Sequence, residues 1–188
     1  VSGAQFVGGL VGTNVSGTVT KSWAQGEVTG GKFVGGLVGN NSGTVSESSF
    51  SGDVAGEEWI GGLVGWNLEG ALVRDSWVRG HLNGGMGVGG LIGTMTNDGG
   101  TLRESWASGN VNSDNRAGGL VGYNKDSEGD PVGTVTHLYW NPEVAGRAEA
   151  VGNNEGSVTE VTGLSTGEMT GNVARENMAA LDFEETWQ

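Results

Sequence analysis

Residues Phe6–Asn14 read FVGGLVGTN, a run of glycine and branched aliphatic residues closed by one asparagine. Alone, the stretch fits a phosphate-cradling loop, an aggregation-prone segment or one rung of a repeat. The rest of the chain decides. GGLVG begins at Gly8, Gly35 and Gly61, GGLIG at Gly89, and GGLVG again at Gly118, in steps of 27, 26, 28 and 29 residues. A second pattern comes after each copy: GTVTKSWAQGEV from Gly17, GTVSESSFSGDV from Gly43, ALVRDSWVRGHL from Ala71, GTLRESWASGNV from Gly100 and GTVTHLYWNPEV from Gly133. A dinucleotide loop occurs once, between a strand and a helix. Five copies with nothing helical after them are a stacked repeat.

The repeats hold no helix-forming run of ten residues. They hold short β-type runs such as FVGGLVG, GTVTKSW and GEVTG, parted by Gly, Asn and Ser turns. Three strands and three turns fill one period, which is one coil of a β-solenoid. The expected fold is all-β: about five stacked coils, roughly 24 Å tall at the ~4.8 Å strand spacing. A C-terminal cap containing a short helix closes it.

Stacking aligns equivalent positions into columns. Val7, Val34, Ile60, Val88 and Ala117 form one; Leu10, Leu37, Leu63, Leu91 and Leu120 another. Val19, Val45, Val73, Leu102 and Val135 form a third, and Val28, Val54, Leu82 and Val111 a fourth. These are the expected core. Ala24, Phe50, Val78, Ala107 and Trp140 make a less regular apolar column. Side chains alternate along a strand, so Leu10 and Val11 should face opposite ways, one of them outside the core. Gly9 and its equivalents should allow close backbone approach or a positive φ. Asn14, Asn41, Asn67 and Asn124 should form an amide ladder, broken at coil four by Met95.

Composition narrows the function classes. The 188 residues include 39 Gly, 2 Pro and no Cys, so no disulfide or thiolate metal site exists. Acids outnumber bases 22 to 9, a formal charge of -13. Nucleic-acid binding rests on Lys and Arg, so no nucleic-acid partner is expected. No apolar run is long enough for a membrane-spanning helix. The start at Val1, without a signal-like segment, reads as a piece of something longer.

The combined pattern, VGGLVGxN and then GTVxxSxxxGxV, resembles the GLUG repeat, in five copies from Phe6 to about Val144. The tail YWNPEVAG…VTGLSTGEMTG also resembles the segment commonly found after these repeats. In that family the repeats sit in large secreted bacterial and archaeal surface proteins, including adhesin-like proteins and non-catalytic regions of immunoglobulin A metallopeptidases. The resemblance implies a β-solenoid, an extracellular or cell-surface setting and no catalytic residues. Met95 for the turn asparagine, Ser49 for the aromatic and Ala71 for the glycine depart from the pattern.

Residues 1–144 are thus expected to be solenoid repeats and 145–188 a capping segment. Ser165 and Glu168 have capping-box spacing. NVARENMAAL reads as a short helix with Asn172 as N-cap, VTEVTG as strand, and Phe183 and Trp187 as docking residues.

Trp23, Trp77, Trp106 and Tyr139 share one repeat position, interrupted by Ser49. Pointing outward, they are the candidate contact for a partner protein or glycan; packed on their own coils, they are a structural ladder. Lys21, Glu47, Asp75, Glu104 and His137 share another position. Carboxylates ~5 Å apart match retaining glycosidases, but Arg74 and Arg103 are expected to pair with them across coils. His81 and His137 lack metal-ligand spacing. No cofactor is expected. Calcium is the one ion that the stacked carboxylates Glu47, Asp75 and Glu104 would also suit; the acidic loops TNDGG at Thr96 and DSEGD at Asp126 lack the calcium nonapeptide and read as solvated turns. NVS at Asn14 and NNS at Asn40 match the glycosylation sequon.

The expected function is a structural or adhesive module of a secreted surface protein, not an enzyme. It would serve as a rigid spacer or bind a protein or glycan on a cell or matrix surface, or other copies of itself. The alternatives are a carbohydrate-binding module using the Trp/Tyr column and, behind it, a polysaccharide-cleaving β-helix enzyme.

Overall fold

The repeat register is the strand register. In the computed structural model, which describes residues 1–96, 100–125 and 133–183 (for 114, the backbone alone), each coil pairs in parallel with the next. The first coil holds β1 (Ser2–Gly8), β2 (Val11–Asn14) and β3 (Thr18–Thr20). Next come β4 (Trp23–Gly35), β5 (Val38–Asn41) and β6 (Thr44–Ser46), then β7 (Ser49–Gly61), β8 (Val64–Asn67) and β9 (Leu72–Arg74). β10 (Trp77–Gly89), β11 (Ile92–Met95), β12 (Thr101–Gly118), β13 (Val121–Asn124) and β14 (Thr134–Trp140) continue the stack. The result is an all-β solenoid of about four full turns. One wall is the five-stranded sheet β13-β11-β8-β5-β2, and the long strands and the short ones share the other sheet.

The aliphatic columns pair as the repeat spacing requires. Val7 lies opposite Val34, Val34 opposite Ile60, Ile60 opposite Val88 and Val88 opposite Ala117. Burying each interior aliphatic contributes about 1.5–3 kcal/mol. Leu37 and Val38 are both fully buried in one core cluster. The expected alternation fails here because the chain bends at Gly9–Leu10 and strand resumes only at Val11. At that corner Leu10 N–H and Val11 N–H both donate to the Leu37 carbonyl, each at 3.0 Å. A bend instead of a pleat turns successive side chains to the same side.

The glycines of this corner answer to close approach. A Cβ on Gly36 would collide with the Gly62 carbonyl of the next coil and with the Phe50 ring. Phe50 is buried in the Ala24/Val78 column, and Ser48 and Ser49 keep the repeat register beside it.

Two polar ladders run along the stack. Asn14 Nδ2 donates to Asn41 Oδ1 at 2.8 Å, and Asn41 Nδ2 to Asn67 Oδ1 at 2.9 Å. Met95 then intervenes, fully buried, and Asn67 Nδ2 and Asn124 Oδ1 are left without partners. The ladder resumes where Asn124 Nδ2 donates to Asn154 Oδ1 at 2.8 Å. The second ladder is serine. Ser22, Ser48 and Ser76 N–H donate to Ser48, Ser76 and Ser105 Oγ at 3.2, 3.2 and 3.1 Å. Each hydroxyl in turn donates to the carbonyl two residues back, as Ser48 Oγ does to Ser46 at 2.7 Å. Leu138 takes the place of serine opposite Ser105.

Coil pairing continues past the boundary expected at Val144. Gly119 and Leu120 N–H donate to the Glu149 and Ala150 carbonyls, Val121 bridges Val151, and β15 (Ser157–Gly163) pairs with β14. AVGNN, Ala150–Asn154, is therefore a degenerate sixth rung. Between the fifth and sixth rungs lies α1 (Pro142–Ala145). Asn141 caps it by accepting from Val144 N–H at 3.0 Å, and Gly146 ends it with φ of 64°. α2 (Gly171–Asn177) comes last. Its N-cap is Thr170, not Asn172, which lies inside the helix. Ser165 and Glu168 instead close a separate turn: Glu168 Oε2 accepts from Ser165 N–H and Oγ–H at 2.8 and 2.7 Å. Phe183 packs with the α2 cluster; Trp187 lies outside the described residues.

Candidate functional site

The side chains offered outward are set by two corner columns with left-handed backbone. Lys21, Glu47, Asp75, Glu104, His137 and Glu160 have φ between 47° and 52°. Phe6, Phe33, Trp59 and Arg116 have φ between 51° and 61°, and Gly87 has 69° at the same position. Such backbone costs a non-glycine residue about 1–3 kcal/mol. In the first column the serine ladder offsets this, because each Ser22-type hydroxyl clamps the carbonyl across the corner.

The acid column is a set of ion pairs. Arg74 pairs with Asp75 and Arg103 with Glu104, each within its own coil and not across coils as expected. Lys21 reaches Glu47 on the next coil at 3.5 Å, and His137 contacts Glu160. Ala180 and Asp182 of the C-terminal segment wall one side of this cleft. Among the described residues no group of three or more His, Asp or Glu is placed to hold a metal ion. Residues 97–99 and 126–132, which hold most of the TNDGG loop and all of the DSEGD loop, lie outside the described residues. His81 is exposed. Asn14 of the first sequon is 7 % exposed and engaged in the ladder, so it is no glycan acceptor; Asn40, of the second, is partly buried.

The expected aromatic column divides into three environments. Trp23 is 70 % exposed. Trp77 and Trp106 stack face to face, centroids 5.5 Å apart and 8° from parallel, with the Arg79 guanidinium over both rings. Tyr139 does not point outward to solvent: it is 7 % exposed, packs with Leu164, Ala174 and Met178, and its hydroxyl accepts from Ala180 N–H at 3.2 Å. The cap covers this end of the column. A cleft of about 570 Å³ remains between Trp77, Trp106 and α2, with Arg79, Arg175 and Met178 in its walls.

A second aromatic face is not among the columns expected from the repeat. Phe6 stacks on Phe33 at 5.3 Å and 7°, and Phe33 on Trp66 at 4.5 Å and 16°. Trp59 tilts onto Tyr123 at 5.3 Å. That pair skips a coil because Gly87 leaves the corner empty: a Cβ there would collide with the Trp59 ring. Lys32 lies over Phe33, and Arg116 over Trp59 and Tyr123. All five rings are half-buried. The signal was present as F, F, W, G, R two residues before GG, but these residues and the x of GxN belong to different strands that only folding brings together. No helix among the described residues is long and apolar enough to cross a membrane. Comparison with family models, curated proteins and solved structures finds no match to this chain.

Proposed function

We propose that the chain is a non-catalytic structural and adhesive module of the GLUG-repeat kind, working outside the cell. Its rigid side faces present fixed columns of side chains to a protein or glycan on a cell or matrix surface. The observation that carries this reading is the aromatic face Phe6, Phe33, Trp66, Trp59 and Tyr123, with Lys32 and Arg116 laid over its rings. Aromatic residues and Arg dominate interface hot spots, and here their backbone is held by stacked coils. A glycosidase reading gains little support from the acid column, whose carboxylates are engaged by Lys21, Arg74 and Arg103.

The sugar-binding alternative rests on Trp23, the most open ring. Trp77 and Trp106 turn their facing ring surfaces to each other. The two readings separate by binding to immobilised matrix proteins and to cell-surface glycans. Phe33→Ala and Trp66→Ala are expected to weaken protein binding tenfold or more, with Trp23→Ala neutral. The reverse pattern on glycans selects the sugar module. Polysaccharide cleavage abolished by Asp75→Asn would overturn both.

A further inference from the structure

The chain has only 9 Lys and Arg against 22 acids, and most of these bases are engaged. Lys21, Lys32, Arg74, Arg103 and Lys125 pair with carboxylates, and Arg147 donates to the Val111 and Ser113 carbonyls. Arg79 and Arg175 do neither: both are exposed, and among the described residues they form no ion pair and donate no hydrogen bond. One stands on β10 and the other on α2, yet they line the same cleft of about 570 Å³. Its walls hold no carboxylate among the described residues. Ser51 and Ser108 flank Arg79 on the neighbouring strands, so its cross-strand neighbours carry no charge. The Arg79 guanidinium lies over the Trp77 and Trp106 rings, 5.6 and 5.1 Å from their centres. Stacking on indoles steadies the flat group and consumes none of its N–H donors.

We propose that this cleft binds an acidic sugar, a pyranose ring carrying a carboxylate, as in a hexuronate. A guanidinium fork meets a carboxylate with two parallel N–H···O bonds, and here two forks converge with no acid of the walls competing for them. The volume falls in the range of small-ligand sites. The sugar ring has apolar surface to lie on. Trp106 covers one face of Trp77, but on the other side the column holds Ser49, which leaves that face without a stacking ring. Met178 and Phe183 add apolar wall. An acidic peptide is poorly served by the same cleft. β10 is already paired on both sides, with β7 and β12, so a peptide backbone finds no free edge, and its unpaired N–H and C=O groups carry a desolvation cost. The cleft shares no residue with the Phe6, Phe33 and Trp66 face, so this holds whatever that face binds.

The test is calorimetric titration of the full chain with trimers of galacturonate, glucuronate and mannuronate, the methyl ester of each serving as the uncharged control. At least one acid trimer is expected to bind, and its ester to bind roughly tenfold or more weakly, the scale of a lost charge-assisted hydrogen bond. Arg79→Gln and Arg175→Gln should each weaken the acid trimer by a similar factor. Both side chains are exposed, so the melting curves of these variants should match wild type. Arg79→Lys should recover only part of the loss, because an ammonium lacks the fork. No binding by any acid trimer, equal binding of acid and ester, or arginine variants that bind as wild type does would overturn the proposal. Tighter binding of a Glu-rich peptide overturns it too, because the partner would then be a protein. So does binding that appears only with Glu184→Gln and Glu185→Gln together, which would assign the arginines to the chain's own carboxylates.

Discussion

At its C-terminal end the solenoid is finished by residues outside the repeat. A degenerate rung at Ala150–Asn154, the strand β15, the short α1, the Arg147 guanidinium and the α2 cluster over Tyr139 each cover part of the last coil. At its N-terminal end the first coil is an ordinary repeat with nothing over it among the described residues, and Leu10, Val15 and Trp23 lie exposed. The two ends are built from the same rung. The covered end shows what stacking by itself leaves open: each coil is a template for the next until different side chains occupy its backbone groups.

The sharpest way to break this comparison is to make one change at both positions. Leu37→Ala should cost about 2–5 kcal/mol, the range for a buried leucine. Leu10→Ala, at the same repeat position, should cost less than about 1 kcal/mol, in line with other surface changes. Urea denaturation of the two variants measures both. Equal losses would mean that the first coil is covered in solution.

Arg147→Ala removes two charge-assisted hydrogen bonds from the closed end and should cost about 1.5–3 kcal/mol. The loss should be accompanied by faster amide exchange over residues 110–115 and unchanged exchange at β1. If stability holds, α1 alone closes that edge.

Met95→Asn joins the two segments of the amide ladder. It offers Asn67 Nδ2 an acceptor and Asn124 Oδ1 a donor. Pairing two buried orphans should raise stability by about 1 kcal/mol after the lost Met packing is subtracted. A lower melting temperature would show that the coil spacing at this position fits only the thioether chain.

The smallest effect belongs to the cap's exposed turn. Hydrogen bonds from the Ser165 hydroxyl and N–H hold Glu168 below the usual carboxylate range. A lowered folded-state pKa stabilises above the unfolded value and is lost as pH falls through the folded one. Wild type should therefore lose cap order below about pH 4.5 more steeply than Glu168→Gln, read as α2 amide exchange. The N-terminal coil should show no such difference.

Much of this fold was legible in the sequence. The period located every rung from Gly8 to Gly118, and the missing asparagine at Met95 located the ladder's break, because parallel in-register stacking converts spacing directly into contact. The corner chemistry was not legible. Leu and Val of GGLVG both enter the core because the chain bends between them. α1 escapes the repeat pattern even though NPEVAG places Asn, Pro and Gly at helix-end positions. Nor was the role of the serine of SxxxG legible, because it depends on a carbonyl turned by the left-handed residue before it.

The same division applies to the candidate sites. By itself the sequence determined which residues share a column, since that comes from one-dimensional periodicity. It placed Trp23, Trp77, Trp106 and Tyr139 together, and they do align. Only the tertiary structure decided which column faces outward and what lies over it. Cap residues distant in sequence bury Tyr139, and left-handed corners bring Phe33 of one strand against Trp66 of another. Backbone handedness at a corner and contacts between distant segments are three-dimensional quantities, and a repeat period carries neither.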